Sequence, residues 1–335
     1  MEQTTQETKE TKGFKFPFFS QKKKSSKKSF KREALVFNYL CLLIPILQWL
    51  ITWLYVNIQT ILMAFQHPFT GEFDNTFFNY QWLWWMQLNL DPSSSAYQGS
   101  LMMAFKNTMM FFGIDLLLVL PLSVVIAYFI YKKIMGYKVF RIAFYLPSVV
   151  PAIVMTTVYR DVTGSGGVID QLFPGIVPQA GLLGDPSTAL GAVIVFVLLC
   201  SFTTNVLLFS GGMARVPLEV LEAAKIDGCG PFREIISLIV PLVWPTLTTQ
   251  IILAFTKMFN GGGPIMMLSG GQHGTMTISY WLFYSIAGDG RNAIAAGGGA
   301  GVYYVSAVGL LLTAIAVPIV LFVRHIFNKV EAIEY

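Results

Sequence analysis

Two groups of residues have types and spacings that could do chemistry. One is a short run of small and acidic residues between two long apolar stretches: Glu222, Ala223, Ala224, Asp227 and Gly228. Carboxylates beside small side chains suit docking to another protein, because a partner can approach closely and the acids accept hydrogen bonds. An interfacial alanine-rich helix that binds nothing is the alternative for this run.

The other group consists of polar side chains inside apolar stretches or at their ends. Burying such groups in lipid is costly unless they face a cavity or another helix. The candidates for contact with a polar solute are Ser201, Thr204, Asn205, Gln250, Lys257 and Asn260. Hydrogen bonding between helices explains each of these residues equally well when it is taken singly. Asp115 is the only acid deep in an apolar stretch, and we interpret it as a partner for a neighbouring helix rather than a proton relay.

Several kinds of catalytic or metal site are missing from the sequence. It contains no G-x-x-x-x-G-K-[ST] phosphate-binding loop, so we expect no ATP hydrolysis by this chain. Its three cysteines and three histidines are widely separated, which predicts neither a disulfide framework nor a metal site. We therefore expect no cofactor and no catalytic residue on the chain itself.

The elements that position these residues are predicted to be membrane-spanning helices. The chain is 54% hydrophobic and only 12% charged, too few charges to cover a soluble surface of this size. Six stretches are long and apolar enough to cross a hydrocarbon core of about 30 Å. They run over residues 35–61, 108–131, 142–159, 189–210, 238–256 and 302–323. The predicted fold class is all-α integral membrane.

The distribution of basic residues predicts the orientation. With the N-terminus in the cytoplasm, nineteen lysines and arginines fall on the inner side and four on the outer side or outer helix ends. Both termini are then cytoplasmic. We expect residues 1–33 to form a basic, disordered tail that sets the topology; binding of anionic lipid is the alternative role. Residues 34–330 form the transmembrane domain and residues 331–335 its cytoplasmic end.

The inner segment that carries the first group has local signals for helix, tight turn, helix. Pro217 suits a helix start, residues 218–226 are mostly helix formers, and Gly228 suits a left-handed C-terminal cap. Within residues 217–241, the pattern Glu222-Ala223-Ala224, Asp227-Gly228 and Pro241 resembles the EAA loop of permease subunits of binding-protein-dependent ABC importers. Cys229 stands where a small alanine is usual in that family.

Weaker landmarks extend the resemblance to carbohydrate permeases of the maltose-transporter type. They are Phe105-Lys106-Asn107-Thr108, Phe144-Tyr145-Leu146-Pro147 with Pro151, and Gly261-Gly262-Gly263-Pro264. The resemblance implies a type I permease fold whose EAA loop is a coupling helix on the ATPase. It also implies a heterodimer with a second permease, two ATPase subunits that bind ATP and Mg, an extracellular solute-binding protein, and a bacterial plasma membrane location.

Two other functions stay open at this stage. A secondary, ion-coupled transporter needs no ATPase, and it predicts internal repeats and ionisable groups near the midplane. We find no convincing repeat and only Asp115. An intramembrane enzyme would need a catalytic constellation, and none of the three histidines lies in a span with a nucleophile.

Overall fold

The described part of the chain is helical. The computed structural model describes residues 24–74, 77–84, 100–258, 263–287 and 301–328, which contain turns and one isolated bridge, between Gln66 and Phe73, besides the helices. The helices are α1 Lys24–Trp49, α2 Val56–Ala64, α3 Phe78–Leu83, α4 Leu101–Ile114, α5 Leu120–Tyr131, α6 Tyr137–Val149, α7 Ala152–Thr163, α8 Val168–Leu172, α9 Ala189–Met213, α10 Leu218–Ile226, α11 Pro231–Glu234, α12 Val240–Leu242, α13 Trp244–Lys257, α14 Gly263–Leu268, α15 Ile278–Ala287 and α16 Gly301–Asn328.

The chain forms two units, Met1–Gln59 and Thr60–Tyr335. In the first unit, residues 24–33 are helical, although the sequence led us to expect disorder there. Most residues of that stretch are lysine, serine and other fair helix formers, and they continue an apolar helix without a break. All the sites described below lie in the second unit.

Within the described ranges, four helical segments are long and apolar enough to cross a membrane: Leu35–Ala64, Leu101–Tyr131, Ala189–Met213 and Gly301–Phe327. Two bent pairs bring the number to six if each counts as one span, which matches the six predicted spans. The pair Tyr137–Val149 and Ala152–Leu172 is bent by 109°, and the pair Pro231–Leu242 and Trp244–Lys257 by 76°. The third and fifth predicted spans are therefore bent rather than straight.

Proline explains where one of these bends falls. Val150 is extended, with ψ 134°, because the ring of Pro151 disfavours helical geometry in the residue before it. Helix α7 then begins at Ala152 with Pro151 as its N-cap.

The second span starts earlier than predicted, at Leu101, because the Ser100 hydroxyl accepts a hydrogen bond from the Met103 amide and caps α4.

Within its described residues, the second unit contains the π-helical segments Asp115–Val119 and Ile235–Ile239. Each is followed two residues later by proline, Pro121 and Pro241 respectively. Proline has no N–H to donate to the carbonyl one turn earlier, so the helix widens locally where that hydrogen bond is missing. Such widened turns are frequent at functional sites, and here they lie next to both candidate groups of residues.

Two apolar clusters form the core of the second unit. The first joins α4, α9, α14, α15 and α16 through buried side chains such as Phe196, Ile278 and Val308. The second surrounds Tyr128, Phe209 and Met213, and it includes Val216 and Leu221 from the connection that leads into α10 and from α10 itself. The second cluster thus fixes the EAA-like loop to the ends of two spans.

Candidate functional site

Helix α10 is the predicted helix of the EAA-like loop, and the structure confirms its extent as Leu218–Ile226. Gly228 has φ +72°, the left-handed conformation expected of a C-terminal cap. The Gly228 amide donates to the Lys225 carbonyl at 3.2 Å and the Cys229 amide to the Ala224 carbonyl at 2.9 Å. This pair of hydrogen bonds is a Schellman motif, which ends the helix sharply.

The residues of the run divide between two faces of this loop. Glu222, Ala223 and Asp227 are exposed. Ala224 is only 6% exposed and Leu221 8% exposed, so these two hold the helix against the rest of the chain. Of the two alanines, Ala223 alone is open to close approach by a partner. The loop encloses a cleft of about 500 Å³ lined by both alanines, Asp227, Arg233 and neighbouring residues.

Two large apolar side chains on this loop were missed by the sequence analysis. Ile226 is 87% exposed at the end of α10, and Phe232 is 80% exposed in α11. Apolar side chains this exposed beside charged residues are typical of anchors for a partner. The signal in the sequence was their place beside charged residues, with Ile226 between Lys225 and Asp227 and Phe232 directly before Arg233.

An ion pair ties this loop to the second span. Lys132 Nζ lies 2.6 Å from Glu234 Oε2, and Glu234 is only 2% exposed. The Lys132 ammonium also lies 5.0 Å from the centroid of the Tyr128 ring. Burial lowers the pKa of Lys132, but the hydrogen bond to Glu234 and the interactions with Tyr128 outweigh it, so the pKa is raised and the side chain stays charged.

The second group of residues meets at a cavity of about 380 Å³ between α4, α9, α13 and the segments around α14 and α15. This volume falls in the range of about 300–1,000 Å³ that is usual for small-molecule sites. Three of the predicted contact residues line it: Ser201, Thr204 and Lys257. Asn205 and Gln250 are 5% and 4% exposed and do not line it. Asn260 lies outside the described residues.

The cavity has a mixed lining. The Ser201 hydroxyl donates to the Asp115 carboxylate, which joins the second span to α9. This is the partner on a neighbouring helix that we expected for Asp115. Lys257 supplies a cation to the same cavity. Phe111 and Phe112 add aromatic faces one turn before Asp115, and the hydroxyls of Thr277 and Ser279 add neutral donors and acceptors. The sequence analysis did not single out these two phenylalanines.

The Asn107-Thr108 landmark holds one wall of this cavity in place. The Asn107 amide nitrogen donates to the carbonyls of Gly274 and Met276, at 2.7 Å and 2.8 Å. The Thr108 hydroxyl accepts from the Ile278 amide at 3.0 Å. Both side chains are buried, so these bonds satisfy backbone groups that water does not reach. They fix the turn before α15 against the second span.

No group of three or more histidine, cysteine, aspartate or glutamate side chains comes together within the described ranges in a way that could hold a metal ion. The charged groups of the two sites are arranged instead for ion pairing and hydrogen bonding.

Comparison with curated proteins finds similar sequences among transport permeases. The probable ABC transporter permease protein YesP of Bacillus subtilis is 27% identical over 155 residues, which are 44% of this chain and 50% of the relative. The maltose/maltodextrin transport system permease protein MalF of Salmonella typhimurium is 26% identical over 216 residues, 62% of this chain and 42% of the relative. The chain thus spans half or less of the length of these relatives.

The fold is shared with a solved permease assembly. A chain of the crystal structure of a bacterial ABC transporter involved in the import of the acidic polysaccharide alginate superposes with a TM-score of 0.69. The match covers 91% of this chain and 99% of that chain at 19% sequence identity, which establishes a common all-α membrane fold.

A family model covers both sites described above. Residues 110–332, two thirds of the chain, match the family of binding-protein-dependent transport system inner membrane components. This range contains the Asp115 end of the cavity, the loop with α10 and the last span. The chain is a multi-pass membrane protein and belongs to the family of binding-protein-dependent transport system inner membrane components.

Proposed function

We propose that this chain is a membrane-spanning subunit of an ATP-driven ABC importer and forms half of the translocation path for a carbohydrate, an oligosaccharide or related sugar. The observation that carries the proposal is α10, a short helix fixed to the bundle by Leu221 and Ala224. It presents Glu222, Ala223 and Ile226 outward. A rigidly held helix with an exposed apolar anchor is the form expected of an element that docks in a groove of a partner.

The partner would be an ATPase subunit. This chain has no phosphate-binding loop, so ATP and Mg would be bound, and ATP hydrolysed, by two such subunits. Closure of the ATPase pair would move α10, and the Lys132–Glu234 ion pair would carry that motion to the second span. The chain would act as a transport subunit and not as an enzyme.

The cavity would form part of the solute path. Ser201, Thr204, Thr277 and Ser279 offer neutral hydrogen bonds and Phe111 and Phe112 offer flat apolar faces, the combination that a sugar ring uses. A second, different permease would complete the path, and an extracellular binding protein would deliver the solute. The names of the sugar permeases among its relatives support a carbohydrate.

In this proposal, both termini and α10 lie on the cytoplasmic side of a bacterial plasma membrane, and the excess of basic residues in the segments assigned to that side supports this orientation. In this proposal, residues 34–330 are the permease domain with coupling loop 217–241. Residues 1–33 and 331–335 are its cytoplasmic ends. A secondary transporter would leave the exposed face of α10 without a role.

The test uses the reconstituted complex of this chain with its partners. Glu222→Lys reverses a charge on the docking face, Gly228→Pro forbids the left-handed cap, and Ile226→Ser removes the apolar anchor. We expect each variant to lose both solute-stimulated ATPase activity and uptake. Glu72→Lys makes the same charge change at an exposed position far from the loop in sequence and should behave as wild type. Wild-type ATPase stimulation and uptake in all three loop variants would refute the proposal.

A further inference from the structure

A groove opens beside the N-terminal end of α10, separate from the cleft that the loop encloses. It has a volume of about 500 Å³ and lies between the end of α5, the start of α6 and the end of α9. Its lining includes Tyr131, Lys133, Tyr137, Arg141, Ser210 and Arg215. Nothing in the proposed transport cycle uses this groove.

The described lining of the groove carries three basic side chains and no acidic one. The basic residues are Lys133, Arg141 and Arg215. In the described part of the chain these three cations make no ion pair. Arg141 is only partly engaged, with its guanidinium carbon 5.7 Å from the centroid of the Tyr145 ring. Three cations that converge on one groove repel one another, and a bound anion would relieve that repulsion.

The backbone holds one of these cations in an uncommon conformation. Lys133 has φ +52°, in the left-handed region that is unfavourable for residues with a side chain. Such strain persists only where the surroundings impose it, and it is concentrated at binding sites. The turn that contains Lys133 thus keeps its ammonium at the groove at a conformational cost.

The neighbouring surface fits a membrane better than a soluble protein. On the same turn and on α6, Met135 is 98% exposed, Val139 70% and Phe140 48%. Tyr131 and Tyr137 stand at the ends of helices, as aromatic rings do at the level of lipid headgroups. Basic pockets between spans at this level bind anionic headgroups.

We propose that this groove binds the phosphate headgroup of an anionic phospholipid, with the acyl chains along the apolar side chains of α6. The binding requires only insertion in a membrane. Placement in the cytoplasmic leaflet rests on the proposed function, because it follows from the side on which α10 lies.

A lipid bound in the groove would stabilise the N-terminal end of α10. The Tyr131 hydroxyl donates to the Val216 carbonyl at 2.7 Å, and Val216 and Pro217 both line the groove. Pro217 is the N-cap of α10. A lipid held by Arg215 would therefore order the segment that joins α9 to α10.

The test measures retention of lipid by the full chain. The purified chain is placed in nanodiscs of phosphatidylcholine with increasing phosphatidylglycerol, and native mass spectrometry counts the phosphatidylglycerol molecules that stay bound. We expect Lys133→Gln, Arg141→Gln and Arg215→Gln each to weaken retention about fivefold. Lys138 is an exposed cation on α6, the helix that carries Arg141, but it does not line the groove. The control variant Lys138→Gln should therefore retain lipid as wild type does.

Two further experiments control for folding and distinguish a lipid headgroup from a soluble anion. Arg215→Lys keeps the charge and should restore most of the retention, which guards against loss of folding as the cause. Glycerol phosphate and inorganic phosphate should compete only weakly; if either binds as tightly as phosphatidylglycerol, the site takes a soluble anion and the lipid proposal is wrong.

The remaining outcomes also decide the matter. Unchanged retention in the triple variant that combines Lys133→Gln, Arg141→Gln and Arg215→Gln would overturn the proposal. Equal loss in Lys138→Gln would do so as well, since it would mean that general surface charge holds the lipid. If the triple variant keeps its lipid but no longer binds the ATPase, the groove belongs to a protein partner. If the groove variants lose bound lipid but keep wild-type ATPase stimulation and uptake, the proposed function stays intact.

Discussion

Individual side chains differ sharply in what they offer a solute, even when they are neighbours in sequence. Thr204 lines the cavity, whereas the adjacent Asn205 is buried and does not. Successive residues of a helix point about 100° apart, so one polar residue can face the path while the next holds the helix in place. A run of polar residues in a span therefore contains both kinds, and only packing separates them.

This difference can be measured with two matched substitutions. Thr204→Val keeps the shape of the side chain but removes its hydroxyl, so we expect the apparent affinity for solute to fall by up to about tenfold. Assembly with the partners should not change. Asn205→Ala should instead lower the melting temperature of the complex, while uptake per folded complex stays near wild type. Uptake kinetics and thermal unfolding check the two results, and the reverse pattern would mean that Asn205 and not Thr204 faces the solute.

Ser201 and Asp115 show how one hydrogen bond serves two purposes. It joins α9 to the second span, and it leaves the carboxylate at the cavity with Lys257. A carboxylate engaged by a hydroxyl still has lone pairs to accept bonds from a sugar. This hydrogen bond thus gives Asp115 a polar partner on a neighbouring helix.

At the scale of elements, the Lys132–Glu234 ion pair joins the end of α5 to the segment that follows α10. The Glu234 carboxylate is almost fully buried, and its second oxygen has no hydrogen-bond partner within the described structure. Loss of Lys132 would leave that carboxylate without its counter-charge. The cost should lie below that of a fully buried pair, since Lys132 keeps 36% of its side-chain exposure.

We expect Lys132→Met to destabilise the chain by about 1–3 kcal/mol and to reduce uptake more than ATPase activity. Glu234→Gln should be milder because an amide tolerates burial better than an unpaired carboxylate. The double variant Lys132→Glu with Glu234→Lys should recover part of the uptake. Chemical unfolding and the ratio of solute imported to ATP hydrolysed are the measurements. Additive losses in the double variant would show that the pair does not act as a unit.

The loop was predictable from sequence because its signals are local. Pro217 and Gly228 fix both ends of α10 through their own backbone preferences, so no knowledge of the tertiary structure was needed. The bend at Val150 could also have been predicted, since Pro151 acts on the residue just before it. The sequence could not have shown that Thr204 lines the cavity and Gln250 does not, because this depends on which helices pack together.

Helical periodicity could not have identified the cavity-facing residues of the second span either. The π-helical segment Asp115–Val119 breaks the regular spacing on which the assignment of faces depends. The role of Asn107 was equally hidden, because its partners Gly274 and Met276 are far away in the chain. The sequence marked Asn107 only as part of a landmark, and the structure supplies the contact that explains it.

At the scale of the whole molecule, orientation is the prediction with the widest consequence. Cys229 lies on the loop with α10 and is half-buried, and Ser187 is exposed on the connection before α9. In a Cys41→Ser, Cys200→Ser background in intact cells, a membrane-impermeant thiol reagent should label an added Ser187→Cys but not Cys229. Inside-out vesicles should give the opposite pattern. Labelling of Cys229 from outside would invert the proposed topology.

The widened turn at Asp115–Val119 has a further consequence for how the second span was built and can be altered. A widened turn absorbs one extra residue, so the helix beyond it keeps nearly the phase that it would have without that residue. Excision of a single exposed residue there, such as Leu117, which is 78% exposed, would restore regular winding and leave the cavity half of the span in phase with its base. A deletion inside Asp115–Val119 should therefore preserve more transport than a deletion in the regular helix on either side, which would turn one half of the span by about 100° relative to the other.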